Sequence, residues 1–177
     1  LLGEQPLRTI ADRGEPSHVS NTLLTLQRLS ESCGAGEAAA PVISQEFAQT
    51  CALQVLQGKT AQQVNAWDAQ SVANSMYACA QLGVYDDRFL GNVQAASPKW
   101  LAGSVAAGLK QVAYACRVLQ FRDPKLLAGI LQRSKHLPTQ QKGRLLQGPQ
   151  RVALAAQVDC GCLGHAAFGQ GCLQAGG

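Results

Sequence analysis

A chain of 177 residues with 46% hydrophobic content is long enough for one or two small domains with a buried core, so disorder is not the default. Its net charge is a modest +4, and no uninterrupted run of about twenty apolar residues is present, which argues against a membrane-spanning helix. Aromatic residues make up only 5%, and a core of Ala, Leu, Val and Cys suits close-packed helices better than strands, which favour aromatic and β-branched side chains. The chain opens on Leu1 rather than Met and is therefore expected to be a processed product or an ordered fragment of something longer.

In chain order, residues 1–17 read as an N-terminal extension, and the first periodic stretch is "VSNTLLTLQRL", Val19 to Leu29. Two stretches that read as loop follow it, "CGAGEAAAP" from Cys33 to Pro41 and "GKTAQQVNA" from Gly58 to Ala66. Next comes "VANSMYACAQLGVYDDRFLGNV" from Val72, and it is nearly rewritten as "LKQVAYACRVLQFRDPKLLAGI" from Leu109. Tyr77-Ala78-Cys79 recurs as Tyr114-Ala115-Cys116, 37 residues on, and Leu82, Asp86 and Leu90 recur as Leu119, Asp123 and Leu127. A fixed period in this range marks a repeat architecture. The first stretch is an earlier copy, with Val19, Asn21, Leu23, Leu26 and Leu29 under Val72, Asn74, Met76, Cys79 and Leu82. A degenerate fourth copy begins at "PQRVALA", where Gln150, Val152 and Ala153 fall under Gln70, Val72 and Ala73. Terminal repeats are atypical because one face has no neighbour.

Val72, Met76, Cys79 and Gly83 recur at the spacing of one α-helical stripe, and Leu109, Ala113, Cys116 and Gln120 repeat it. Asp86 and Asp123 stand where a carboxylate can cap a second helix, and Pro124 fits a first turn. The second helices are expected over 87–96 and 124–134. Each copy is then a helical hairpin, which buries both of its apolar faces only in a stack. The expected fold is all-α: a short right-handed α-solenoid of about four stacked hairpins with a period of about 37–40, spanning 18–165 and followed by a Gly-rich tail, 166–177.

The first helices also carry a family pattern. "WDAQSVANSMYACAQLGVYD" and "GPQRVALA" resemble the octotricopeptide repeat, whose first helix runs Pro-Gln-x-Leu-Ala-Asn into a Leu/Trp-Ala-x-Ala core ending in Leu-Gly. Gln70, Val72, Ala73, Asn74, Tyr77, Ala78, Ala80, Leu82 and Gly83 fall on it, and Pro149, Gln150, Val152 and Ala153 match its opening. The third copy keeps Tyr114, Ala115 and Leu119 but lacks the Gln and Asn. The resemblance implies a helical-repeat RNA binder of a green algal organelle. The mitochondrion is favoured over the chloroplast, since the family includes accessory proteins of mitochondrial ribosomes. Ribosomal RNA and neighbouring proteins of the particle are the partners this implies.

Charge bears on the same question. Residues 1–58 hold three basic side chains against six acidic ones. From 99 to 151 the balance reverses: Lys99, Lys110, Arg117, Arg122, Lys125, Arg133, Lys135, Lys142, Arg144 and Arg151 face Asp123 alone. Solvated helical faces usually mix signs to gain i, i+4 pairs, so this density reads as the footprint of a polyanion. These residues are the candidate phosphate contacts. Gln70, Asn74, Lys110 and Gln111 on the first helices face either bases or the neighbouring repeat, where Asn74 and its equivalent Asn21 suggest a hydrogen bond between copies. The competing reading is a protein-binding scaffold whose acidic and basic halves dock different proteins.

Other motifs carry less. Seven cysteines, an odd number without framework spacing, read as reduced thiols behaving as small hydrophobes, with Cys51, Cys79 and Cys116 at apolar helical positions. Cys160, Cys162, His165 and Cys172 crowd the tail, but Cys-x-Cys is tighter than a zinc pair, so no metal is expected. His18 and His136 have no carboxylate or cysteine partner nearby in the sequence. No phosphate loop, nucleophile elbow or paired-carboxylate pattern is present, so neither catalysis, a cofactor nor a small-molecule substrate is expected. Trp67 and Trp100 either stack on bases or plug gaps between repeats.

Overall fold

The computed structural model of the chain describes residues 9–10, 12–31, 41–138 and 140, and the regular structure among them is helical throughout. Eight helices of five or more residues are found among the described residues: α1 (Pro16–Ser30), α2 (Gln45–Gln57), α3 (Ala61–Asn65), α4 (Ala69–Leu82), α5 (Asp87–Ala95), α6 (Ser97–Ala102), α7 (Ala106–Val118) and α8 (Pro124–Lys135). The first helices of the three copies are α1, α4 and α7, and the second helices are α2, α5 and α8. The fourth copy, the tail 166–177 and residues 1–8 of the extension lie outside the described residues.

Side-chain caps set where the helices start. Ser44, Asp86 and Asp123 each accept the backbone N–H three residues on, from Phe47, Phe89 and Leu126 at 3.2, 2.6 and 2.7 Å. Each such cap is worth about 1 kcal/mol. Both expected aspartate caps are present, and Pro124 opens α8 without losing a hydrogen bond. Asp68 caps α4. Its partial burial favours the neutral acid, but bonds from Ser71 and Gln70 outweigh this and hold its carboxyl below the ordinary value.

One expectation is corrected. The stretch from Gly58 to Ala66 is not loop: Thr60 and Gln63 form a reciprocal capping box that starts α3. With those donors satisfied, five residues wind into a helix, Val64 is fully buried, and Lys59 is 1% exposed with its Nζ donating to the Ile10 carbonyl at 3.1 Å. Another short helix, α6, follows α5 after a single residue, with Pro98 in its first turn.

The copies pack in a repeating way. α4 lies against both α1 and α7, so the first helices form a row. Each short helix packs on the second helix of the next copy, α3 on α5 and α6 on α8. The apolar stripes of the first helices are in the core: Val19 and Leu23 of α1, Val72, Met76 and Cys79 of α4, and Leu109 and Cys116 of α7 are all buried. Burying each Val, Leu or Met side chain contributes about 1.5–3 kcal/mol.

Both tryptophans belong to the core. Trp67 is 3% exposed and meets the Phe89 ring at 5.7 Å, and Trp100 is 2% exposed with its Nε1 donating to the Val93 carbonyl at 3.0 Å. Cys51, Cys79 and Cys116 are buried free thiols. Burial pushes Cys79 and Cys116 up to about 12, with the nearby Asp86 and Asp123 carboxylates adding to it, so both stay neutral and pack as hydrophobes. No helix among the described residues is long and apolar enough to cross a membrane.

Candidate nucleic-acid interface

The row of first helices carries one group of the expected site residues: Gln70 and Asn74 on α4, with Lys110, Gln111 and Arg117 on α7. The 37-residue register sets Asn74 and Gln111 at equivalent positions of neighbouring helices, and likewise Tyr77 and Tyr114. Gln70 Nε2 donates to Asn74 Oδ1 at 2.8 Å, so this amide pair closes along α4 rather than between copies. At Asn21 the backbone carbonyl accepts from Thr25 Oγ1 within α1. Gln111 Oε1 is turned inward and has no hydrogen-bond partner.

One turn beyond Asn74 and Gln111 come the rings. Tyr77 and Tyr114 are half-buried, with centroids 5.6 Å apart and planes tilted by 42°. Gln81 Nε2 donates to the Tyr77 hydroxyl at 2.7 Å, and the exposed Arg117 guanidinium stands 5.5 Å from the centre of the Tyr114 ring. In the sequence these tyrosines mark the register and the octotricopeptide resemblance and are not among the candidate contacts. The signal that marks them is an aromatic at the same place in two copies, with a cation one turn beyond the second.

A second group of basic residues holds the backbone. Lys99 Nζ donates to the Asn65 carbonyl at 2.8 Å, and Arg133 grips the Ser104 carbonyl through Nε at 3.2 Å and Nη2 at 3.1 Å. Lys99 also meets Gln70 at the rim of a hollow of about 420 Å³ beside the starts of α4 and α7.

The third group lies toward α8. Arg122, in the turn before it, donates from Nη2 to Gln120 Oε1 at 3.1 Å, while Lys125 and Lys135 are exposed on α8. An open groove of about 540 Å³ runs between α6 and α8, lined by Pro98, Leu101, Lys125, Gln132, Arg133 and His136. Lys142, Arg144 and Arg151 lie outside the described residues.

The electrostatic balance follows from one acid. Asp123 is the sole acidic residue from 99 to 151, and its carboxylate is taken up by the Leu126 N–H as a cap. The cations of α7 and α8 therefore have no carboxylate in their own copy to neutralise them except this one. Among the described residues no three His, Cys, Asp or Glu side chains come together as metal ligands. Cys160, Cys162, His165 and Cys172 lie outside the described residues. No protein-family model, curated protein or solved structure matches this chain.

Proposed function

We propose that the chain is a non-enzymatic RNA-binding α-solenoid of octotricopeptide type, with single-stranded RNA lying across the row of first helices. What carries the reading is the α4–α7 face: amides of Gln70, Asn74 and Gln111, cations of Lys110 and Arg117, and a copy whose one acid, Asp123, is held as a helix cap. Phosphates pair with the cations and release counterions, while the amides meet base edges. The regular neighbour pattern, first helix on first helix and short helix on the next second helix, supports a solenoid. With about one base read per hairpin, the address is too short to choose one transcript, which favours a clamp on RNA already held by a larger particle. The setting in a mitochondrial ribonucleoprotein, with ribosomal RNA as the ligand, rests on the octotricopeptide resemblance.

The groove between α6 and α8 favours a second reading, a scaffold for proteins, because Pro98 and Leu101 give it an apolar wall beside Arg133 and His136. Ultraviolet crosslinking of the native particle, followed by sequencing of the attached RNA, separates the two. Crosslinks on one ribosomal RNA support the clamp, and a particle in which this chain crosslinks to proteins but to no RNA supports the scaffold.

A further inference from the structure

We propose that the Tyr77–Tyr114 pair, backed by Arg117, is a stacking platform for one unpaired base of a single-stranded RNA; this rests on the RNA-binding reading and adds its base site.

Three observations converge on the junction of α4 and α7. Among the described residues the other ring contact, Trp67 on Phe89, is sealed in the core, with exposures of 3% and 1%, whereas both tyrosines of this pair keep part of their surface in solvent. Their 42° tilt departs from the parallel stack in which the two rings would cover one another. The hydroxyl of Tyr77 accepts from Gln81, and the Arg117 guanidinium stands over the Tyr114 ring, so the pair carries a cation beside it. Base–aromatic stacking combined with an arginine is how proteins hold single strands without reading sequence.

The third observation is Gln111, one turn before Tyr114 on α7, whose Oε1 lacks a partner. The neighbouring amides are joined through Gln70 Nε2 and Asn74 Oδ1, whereas Gln111 Oε1 is, among the described residues, the buried amide oxygen without a partner. A base seated on Tyr114 with an exocyclic amino group, as in adenine or cytosine, supplies the missing donor when the amide turns outward. Among the described copies the aromatic pair is confined to α4 and α7, because Leu24 takes the equivalent place in α1.

The test uses the full 177-residue chain and three labelled RNA decamers: oligoadenylate, oligouridylate and an abasic ribose-phosphate chain of equal charge. Tyr77→Leu/Tyr114→Leu should weaken binding of oligoadenylate by about tenfold or more, leave the abasic decamer unchanged, and leave the salt dependence unchanged. Tyr114→Phe should keep the affinity, and Gln111→Leu should erase any preference for oligoadenylate over oligouridylate. Equal loss on the abasic decamer would mean that the tyrosines only hold the helices together, and it overturns the platform. Undiminished oligoadenylate binding by the double leucine variant overturns the platform while leaving RNA binding intact. Failure of the unaltered chain to bind any decamer at low salt removes the RNA-binding reading and the platform with it.

Discussion

Gly83 and Gln120 hold the same place in two copies and share a left-handed backbone, with φ of 69° and 55°. The helices before them close with matching bonds: Val84 N–H to the Cys79 carbonyl at 2.9 Å and Gly83 N–H to Ala80 at 3.3 Å, then Phe121 N–H to Cys116 at 2.9 Å and Gln120 N–H to Arg117 at 3.3 Å. The second copy places glycine where this turn wants it, and the third places a residue whose Cβ crowds the following carbonyl. Gln120 recovers part of that cost through Nε2 donating to the Arg117 carbonyl, an exposed and weak bond. Gln120→Gly should therefore raise stability by about 0.5–1 kcal/mol, and Gly83→Gln should lower it by about 1 kcal/mol or more. Urea unfolding midpoints measure both, and a destabilised Gln120→Gly chain would mean that the side-chain bond outweighs the strain.

Arg133 reaches 29 residues back to the Ser104 carbonyl and ties α8 to the end of α6. Charge-assisted bonds of this kind contribute about 1.5–3 kcal/mol. Arg133→Ala should cost about that much, and Arg133→Lys should recover only part, because an ammonium lacks the planar fork. An unchanged midpoint in Arg133→Ala would free this residue for an external ligand.

Ser75 is fully buried in α4, and its hydroxyl has no partner. The equivalent residue of the third copy is Val112, also fully buried, so the site tolerates an apolar side chain. Ser75→Ala should raise stability by up to about 1 kcal/mol, since an unsatisfied buried hydroxyl costs about that or more. Thermal unfolding reads it directly, and a loss of stability would show that the hydroxyl is satisfied in solution.

The period, the caps and the second helices could be read from the sequence because each is a local signal. Asp86 and Asp123 bond three residues away, and the stripes through Cys79 and Cys116 follow helical spacing. Position along the chain does not say what a cation touches. Lys99 and Arg133 counted as phosphate contacts, yet their carbonyl partners, 34 and 29 residues distant, become visible only when the copies stack. The helix α3 is a different case: Thr60 and Gln63 announce a capping box, but Gly58 and the polar residues around them read as loop. Asn74 is a third case: its equivalence to Asn21 suggests a hydrogen bond between copies, whereas its Oδ1 accepts from Gln70, one turn earlier on the same helix.

The two buried thiols give an alkaline signature. In the folded chain Cys79 and Cys116 ionise near 12, against an ordinary 9.0 when unfolded. The folded state thus keeps protons that the unfolded state gives up, so this contribution is intact below about pH 9 and is lost as pH rises toward 12. The loss is about 1.4 kcal/mol per thiol for each pH unit in that window. Chemical denaturation between pH 8 and 11 should show a shallower decline in Cys79→Ala/Cys116→Ala than in the unaltered chain. Parallel declines would mean that water reaches these thiols in the folded state.

On the RNA-binding proposal, the salt dependence of affinity should separate the two sets of cations. Lys110 and Arg117 stand on the row of first helices, beside the amides and the tyrosines, whereas Lys125 and Lys135 stand on α8. Each phosphate paired on a single strand adds about 0.7 to the slope of log affinity against log salt. If RNA crosses the first helices, Lys110→Ala/Arg117→Ala should flatten that slope by about 1.4, whereas Lys125→Ala/Lys135→Ala should leave it within error. Arg117 also braces Tyr114, so its loss should lower affinity by more than the charge alone explains. Fluorescence anisotropy with a labelled oligouridylate between 50 and 200 mM salt, roughly the range over which phosphate contacts reveal themselves, supplies the slopes. A slope carried by Lys125 and Lys135 instead would move the RNA path to the groove between α6 and α8.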